Sequence, residues 1–308
     1  MKEYDVIIVD DCSTDEESLS LLSMLETKHT NLRVIRNERN SRCGESRNYG
    51  VREAKGKYVW FVDQDDYIVP HCLSILLDIC ESGQLDMLTF DYRNVSDDLT
   101  LNKKKNLIKT NSIIQTGLDY IQNICQGDFW NAEYDTNVWH SLFRRQFLLD
   151  NKVFSPEISY CEDMIVALHA IILANRHQSV SDDYYCYRHN PQSVFHTEVG
   201  VKGRSIFDAS IFAGSEIVLL SQLIPQGYQN LRDIVYQGGV GRINSFTKAI
   251  LKINAKERNC FYEQVKIRPT VISQALPFLS QTNRWLINHP RLVKAFPHLF
   301  YLYFKILC

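Results

Sequence analysis

The N-terminal part of the chain alternates short apolar runs with helical stripes. Val6–Val9 is a continuous apolar run that ends at two aspartates. Such a run is typical of a strand that is buried on both faces, as in a parallel sheet. Similar runs at Leu32–Ile35, Tyr58–Val62 and Leu85–Phe90 predict three further strands.

Apolar residues at helical spacing predict a helix between successive strands. Thr14 and Glu17 have the spacing of a capping box at the start of the first helix. The second helix is predicted from Arg42 to Ala54, and Pro70 opens the third. Because strands and helices alternate, the pattern predicts the α/β class with a mostly parallel sheet.

The pattern changes after about residue 200, where the sequence indicates helices that are broken by prolines. These are Pro225, Pro269, Pro277, Pro290 and Pro297. We therefore predict an α/β domain over residues 1–198 and a helical C-terminal region over residues 199–308.

Composition narrows the class of protein. The 308 residues are 45% hydrophobic and 23% charged, which favours a packed core over disorder. The formal net charge of -2 gives no support for a nucleic-acid partner. The nine cysteines include no C-x-x-C pair, which favours reduced thiols in the cytoplasm over disulfides or a zinc site. No signal-peptide pattern or bilayer-length apolar run is present, so we expect any membrane contact to be peripheral.

Acidic residues follow two of the predicted strands. Asp11 follows the first strand, and Asp63, Asp65 and Asp66 follow the third. Ligands bind at the carboxyl ends of strands in open α/β sheets. Crowded carboxylates repel one another and attract hard cations such as Mg²⁺ or Mn²⁺. A turn that caps the following helix is the alternative interpretation.

Several ordered motifs resemble those of family 2 glycosyltransferases, which have the GT-A fold, a Rossmann-like architecture. Val9–Asp15 resembles the family's V-D-D-G-S-T-D segment, and Ser46–Gly50 resembles its A-R-N-x-G segment. Phe61–Asp66 is similar to the F-L-D-x-D-D metal motif. Tyr160–Asp163 and Tyr187–Arg188 resemble the E-D motif and the segment that follows it.

The resemblance implies a donor site for a nucleoside-diphosphate sugar, with a uridine-type nucleotide. Asp11 would contact the base, and Arg47 would help to hold the donor. Asp63 and Asp65 would hold the Mn²⁺ or Mg²⁺ ion that bridges the diphosphate, and Asp63 would thereby also bind the donor. Arg188 or His189 would face the leaving diphosphate.

The resemblance also implies inversion of the anomeric configuration, with Asp163 as the general base. The acceptor would be a hydroxyl of a saccharide or of a lipid-linked acceptor in cell-surface polysaccharide synthesis. A positioned carboxylate can take the proton of an attacking hydroxyl, so direct displacement needs no second carboxylate as nucleophile.

Each of these residues also has a purely structural interpretation. Asp11 would then cap the helix around Ser18–Leu25, and Arg47 would be a solvated helix arginine. Glu162 and Asp163 would be only the acidic first turn of a helix over Met164–Ala174. The ordered set of motifs favours function for Asp11, Asp65 and Asp163.

Two functional alternatives remain at this point. The sequence begins at the D-D strand, without the strand and helix that precede it in the family, and this leaves activity open. We expect a gap between residues 4–9 and residues 58–62 in place of a direct ladder. One alternative is therefore a non-catalytic nucleotide-sugar-binding remnant or partner subunit. The other is a receiver-like phosphoacceptor signalling protein with Asp63 as its phosphorylation site.

The last part of the chain combines basic and aromatic residues. From Gln264 to Cys308 there is no Asp or Glu, whereas Lys, Arg, Trp, Phe and Tyr recur. This composition suits a membrane surface, where lipid-linked acceptors are found. We therefore expect a cytoplasmic protein that lies peripherally at the inner face of the cell membrane. The alternative is a helix that packs its aromatic residues on the catalytic domain.

Overall fold

The computed structural model describes residues 4–95, 101–104, 113–125, 137–158, 160–188, 201–295 and 297. They form two compact units. The first takes its described residues from Met1–Ile124, Glu133–Ile158 and Glu162–Asn190, and the second from Cys125–Ala132, Ser159–Cys161 and Pro191–Cys308. The predicted boundary between residues 198 and 199 and the predicted role of His189 lie outside the described residues and stay predictions.

The first unit contains strands and helices in alternation. Its strands are β1 Val6–Asp10, β2 Leu32–Arg36, β3 Tyr58–Trp60, β4 Tyr67–Ile68, β5 Met87–Val95, β6 Leu101–Lys104, β7 Ser141–Arg144 and β8 His177–Arg188. Its helices are α1 Glu16–Lys28, α2 Arg42–Glu53, α3 Cys72–Gly83, α4 Gly117–Cys125, α5 Arg145–Asp150 and α6 Glu162–Leu173.

The strands form two separate sheets. β1 and β2 pair in parallel, with Val6 opposite Leu32. The other sheet has six strands in the order β3-β7-β5-β8-β4, and β6 pairs with β5. Here β5 and β8 are parallel, whereas β7 is antiparallel to both β3 and β5. The α/β class is confirmed, but the sheet is mixed where we predicted it mostly parallel. Continuous apolar runs indicate burial on both faces, which also occurs in mixed sheets.

The N-terminal sheet has an open side. Within the described residues no ladder joins β1 to β3, which is the outcome that the expected gap requires. Val6 is 37% exposed, and α1 contains no buried residue. A strand with one unpaired edge presents N–H and C=O groups that are able to pair with another strand.

The first helix begins one residue later than its predicted capping box implies. Asp15 is the N-cap, and its side chain accepts a hydrogen bond from the backbone N–H of Ser18. The prediction that Thr14 and Glu17 form the cap was therefore wrong. An Asp side chain serves an N-cap at least as well as a Thr side chain, so the two adjacent candidates compete.

The core of the first unit lies around β5 and β8. Leu88, Phe90 and Tyr185 are fully buried there, together with Leu76 from α3. Trp139 stacks on Tyr185 with ring centroids 4.7 Å apart. This packing fixes the end of β8, which the candidate site uses.

The second unit is helical over its described residues. Its helices are α7 Val201–Ile206, a π-helical turn Phe207–Phe212, α8 Ala213–Ser221, α9 Gln229–Asn244, α10 Phe246–Lys252, α11 Ala255–Ile267, α12 Pro269–Ala275, α13 Gln281–Asn288 and α14 Pro290–Ala295. Pro269 and Pro290 begin helices, as expected of a residue that lacks a backbone donor.

One core joins these helices, and it includes Phe207, Phe261, Leu286 and Val293. No single helix in the described part of the chain is long and apolar enough to cross a membrane. Two successive helical segments, Gly203–Ser221 and Gln226–Lys252, are long and apolar enough only when they are counted together, and the chain bends sharply between them.

Candidate functional site

Arg47 joins two acidic segments that are far apart in the sequence. Its Nη2 lies 2.8 Å from Oδ1 of Asp63, and its Nη1 lies 3.0 Å from Oε1 of Glu162. The Arg47 and Glu162 side chains are only 13% and 12% exposed. Arg47 is therefore a mostly buried bridge between the loop after β3 and the start of α6. The interpretation of Arg47 as a solvated helix arginine is wrong.

Glu162 and Asp163 occupy the first turn of α6, where carboxylates are favoured by the helix dipole. The Oδ1 atom of Asp163 accepts a hydrogen bond from the backbone N–H of Met164. Burial, reinforced by the Asp163 carboxylate and opposed by Arg47, raises the pKa of Glu162 to about 7. The two acids thus have different partners. Glu162 forms an ion pair with Arg47, whereas Asp163 accepts a hydrogen bond from the backbone N–H of Met164.

Helix α2 is fastened to the segment that leads into α6. The Nδ2 of Asn48 donates to the carbonyl of Ser155, and the N–H of Ser155 donates to Oδ1 of Asn48, both at 2.8 Å. Gly44 permits close approach, since a Cβ there would lie 3.0 Å from the Cβ of Ser155 and 3.2 Å from the Cγ of Glu162. Asn48 and Gly44 therefore set the position of the segment that carries Glu162.

The loop Asp63–Asp66 follows β3 and is bound to the end of β8. The Nε of Arg188 donates to the carbonyl of Asp65 at 2.7 Å, and the backbone N–H of Arg188 donates to Oδ1 of Asp66 at 2.8 Å. The structure thus brings Arg188 to the loop that carries Asp63 and Asp65. Burial, reinforced by these two acids, raises the pKa of Asp66 to about 6.

Asp11 holds a different loop. Its Oδ1 accepts from Nδ2 of Asn37 and from the N–H of Ser41, and its Oδ2 accepts from the N–H of Arg42. Asn37 also donates to the hydroxyl of Ser46, next to Arg47 in α2. The interpretation that Asp11 caps the helix around residues 18–25 is wrong, because it binds N–H groups at the start of α2 instead. Its predicted contact with a base remains a prediction.

The acidic loop has the composition of a site for a divalent ion, although its carboxylates are few. Among the residues that the structure describes, no three or more His, Cys, Asp or Glu side chains are grouped to hold a metal. Mg²⁺ commonly takes one or two carboxylates and completes its coordination with substrate phosphates and water. Asp63 and Asp65 lie two positions apart on one loop, and the Asp63 side chain is 30% exposed. The pair fits an ion that is bound together with a diphosphate.

Sequence reasoning missed two residues of this arrangement. Glu162 was noted only as a neighbour of Asp163, and its bond to Arg47 spans 115 positions. Tyr185, whose hydroxyl binds Asp66, lies in a strand and gave no functional signal. In both cases the partner is set by tertiary packing.

Comparison with known proteins gives matches to glycosyltransferases. Residues 1–148 match the model of Glycosyl transferase family 2. The uncharacterized glycosyltransferase EpsJ of Bacillus subtilis is 28% identical over 207 residues, which cover 66% of this chain and 57% of EpsJ. The matched family is the one that the motifs around Asp11, Arg47 and Asp63–Asp66 resemble. A second relative is the poly(ribitol-phosphate) beta-N-acetylglucosaminyltransferase TarS of Staphylococcus aureus, 28% identical over 60% of this chain and 30% of TarS.

Solved structures show the same fold. The crystal structure of S. aureus TarS 1–349 in complex with UDP has a TM-score of 0.61 at 21% identity, and the alignment covers 99% of this chain and 83% of that one. The corresponding complex with UDP-GlcNAc has a TM-score of 0.62 at 20% identity, covering 98% of this chain and 83% of that one. The GT-A fold replaces the receiver-like alternative, because the strand before Asp63 pairs antiparallel with β7.

Proposed function

We propose that this protein transfers a sugar from a nucleoside-diphosphate donor, UDP being the favoured nucleotide, to a hydroxyl group, with inversion. The observation that carries the proposal is the Arg47 bridge. It holds the Asp63 loop next to the first turn of α6, which carries Asp163. Direct displacement requires the donor-binding loop and the general base to lie close together.

The donor side uses Arg47, Asp63, Asp65 and Arg188. UDP is favoured because TarS, a relative, has been crystallised with UDP and with UDP-GlcNAc. Asp63 and Asp65 would hold the Mn²⁺ or Mg²⁺ ion, which supplies Lewis-acid stabilisation of the charge on the diphosphate. Arg188 adds positive charge beside the same loop. Asp11 contributes to base binding either directly or through the loop 37–42 that it holds.

Asp163 is the proposed general base. Glu162 already binds Arg47, so its carboxylate is committed to a charged partner, whereas Asp163 is the adjacent acid of the motif. Asp163 would accept the proton of the acceptor hydroxyl as its oxygen attacks the anomeric carbon, while the bond to the diphosphate oxygen breaks. One displacement inverts the configuration.

The acceptor proposed is a saccharide or lipid-linked chain in cell-surface polysaccharide synthesis. Relatives support this class: one is the poly(ribitol-phosphate) beta-glucosyltransferase of Bacillus spizizenii, 32% identical over 193 residues. Another is the Campylobacter jejuni GalNAc(5)-diNAcBac-PP-undecaprenol beta-1,3-glucosyltransferase, 28% identical over 158 residues.

The location proposed is cytoplasmic and peripheral at the inner face of the membrane. The described part of the C-terminal segment packs into the helical core, since Leu286 and Val293 are fully buried. Deletion from residue 283 would therefore damage the core. Removing only residues 298–308 spares those side chains, and co-sedimentation with anionic vesicles should then fall; unchanged sedimentation would exclude a membrane role for these eleven positions.

A second candidate is a non-catalytic nucleotide-sugar-binding partner subunit. The observation that favours it is the open edge of β1, which has no ladder to β3 in the described residues. Donor binding without turnover would support this candidate.

The decisive experiment measures binding and turnover separately. Thermal shifts with UDP and UDP-GlcNAc, each with and without Mn²⁺, report binding because a ligand of the native state raises its stability. Release of UDP in the presence of saccharide or lipid-linked acceptors reports transfer. Binding together with transfer supports the enzyme, binding alone supports the partner subunit, and the absence of both would contradict both candidates.

A further inference from the structure

Asp66 is the third acid of the loop after β3, and its carboxylate is held from two directions. Its Oδ2 accepts a hydrogen bond from the hydroxyl of Tyr185, and its Oδ1 accepts one from the N–H of Arg188, both at 2.8 Å. Hydrogen bonds to an ionised carboxylate are stronger than those between neutral groups. Asp66 thus ties the loop to the end of β8.

The hydroxyl of Tyr185 makes a second bond to the same loop. It accepts a hydrogen bond from the backbone N–H of Asp63 at 3.1 Å. The loop closes on itself as well, because the N–H of Asp66 donates to the carbonyl of Asp63 at 3.1 Å. One phenol group therefore contacts both ends of the segment that carries Asp63 and Asp65.

The ring of Tyr185 is itself fixed. Tyr185 is fully buried and stacks on Trp139, whose carbonyl accepts a hydrogen bond from Nε1 of Trp60 at 2.6 Å. Trp60 is the last residue of β3, immediately upstream of the loop. The strand that enters the loop and the strand that anchors it are thus packed against one aromatic group.

We propose that Asp66 and Tyr185 are a positioning pair, which sets the orientation of Asp63 and Asp65 toward the donor diphosphate and its divalent ion. This inference rests on the proposed function. Neither residue needs to touch the donor, because both act through the geometry of the loop. A loop held within a fraction of an ångström binds a diphosphate–metal unit more tightly than one that must be ordered on binding.

Tyr185→Phe is the sharpest test, because it keeps the ring on Trp139 and removes only the hydroxyl. The full chain is titrated with UDP in the presence and absence of Mn²⁺ by calorimetry, which needs no turnover. We expect the Mn²⁺-dependent Kd for UDP to rise about tenfold, as two ordinary hydrogen bonds are lost. The KM for the donor should rise in parallel, whereas the KM for the acceptor should stay within about twofold.

Tyr184→Phe is the matched control. Tyr184 precedes Tyr185 in β8, packs edge-on against Phe90, and its hydroxyl lies beside Asp182 instead of the loop. This variant should bind UDP with Mn²⁺ as the wild type does. A purely structural role of Tyr185 would lower the melting temperature and leave the Kd for UDP unchanged, which would overturn the proposal.

Asp66→Asn separates positioning from direct metal binding. The amide retains one acceptor but replaces the other carboxylate oxygen with a donor, so we expect a rise in Kd similar to that of Tyr185→Phe. Loss of Mn²⁺ dependence in Asp66→Asn, with Tyr185→Phe unaffected, would identify Asp66 as a metal ligand and overturn the positioning role. Wild-type protein that binds no UDP with Mn²⁺ would instead overturn the proposed function, and this inference with it.

Discussion

Asn48 and Ser155 bind each other through two hydrogen bonds, although 107 positions separate them in the sequence. The side-chain amide of Asn48 donates to the backbone C=O of Ser155 and accepts from the backbone N–H of the same residue, both at 2.8 Å. These bonds fix α2, which carries Arg47, to the segment that leads to Glu162. The A-R-N-x-G motif is thus joined to the E-D motif by Arg47, and to the segment before that motif by Asn48.

Asn48→Ala is expected to lower the free energy of unfolding by about 2 kcal/mol, because the buried N–H and C=O of Ser155 lose their partner. Urea unfolding measures the change. Transfer activity should also fall, since the segment before Glu162 loses its anchor. Asn288→Ala, at an exposed asparagine near the end of α13, is the control and should be close to neutral. Equal effects of the two substitutions would show that the Ser155 contact is energetically unimportant.

Asp65 and Asp163 should have separable roles. Asp65→Asn is expected to abolish Mn²⁺-dependent binding of UDP-sugar, because a neutral amide is a poor ligand for a hard cation. Asp163→Asn is expected to leave donor binding intact and to reduce transfer by at least about a hundredfold, the usual range for loss of a general base. Calorimetry and single-turnover assays distinguish the two; equal loss of donor binding in both variants would contradict the assignment.

Arg47→Met should be among the most destabilising single changes in α2. It leaves Asp63 and Glu162 without their shared cation, and loss of one partner of a buried ion pair costs about 3–5 kcal/mol. Arg47→Lys should recover only part, since one ammonium group lacks the planar fork that reaches both acids. Arg52→Met, at the exposed pair with Glu45 in the same helix, is the control, with an expected cost of about 1 kcal/mol or less. Similar chemical-denaturation midpoints for Arg47→Met and Arg52→Met would contradict the buried bridge.

The sequence was most informative where a feature is local. Runs of neighbouring residues predict that Asp63 lies just after a strand and that Glu162 lies at the start of a helix, and the structure agrees. The sheet order could not be predicted, because β7 enters between β3 and β5 from a distant part of the chain. The Arg47 bridge could not be predicted either, because the sequence around a helix arginine is the same whether or not a distant acidic residue binds it.

Stability should depend on pH through Glu162. Its pKa is about 7 in the folded protein, compared with about 4.5 for an ordinary glutamate. Between these values the unfolded chain has released a proton that the folded chain still holds, so the free energy of unfolding falls as the pH rises. The loss begins near the unfolded pKa and is complete above the folded one. Glu162→Gln should remove this contribution, which is measured as the wild-type-minus-variant difference across that window. A difference that does not change with pH would contradict the raised pKa.

Gly44 and Gly50 allow the packing of α2 to be tested within one helix. Replacing a helix-interior glycine with alanine gains about 1 kcal/mol from helix propensity. A Cβ at Gly50 would lie 3.6 Å from the nearest neighbour, Cγ2 of Val9, which is ordinary contact. Gly50→Ala should therefore raise the free energy of unfolding and leave activity unchanged.

Gly44→Ala should not show the same gain in the free energy of unfolding. Its Cβ would meet the Cβ of Ser155 at 3.0 Å and the Cγ of Glu162 at 3.2 Å, so both neighbours must move by a few tenths of an ångström. In a densely packed contact such a shift offsets the propensity gain, and it displaces Glu162 relative to Arg47. We expect Gly44→Ala to be less stable than Gly50→Ala in urea and to lose transfer activity. If the two variants gain the same stability and retain the same activity, α2 does not approach the start of α6 as closely as the structure has it.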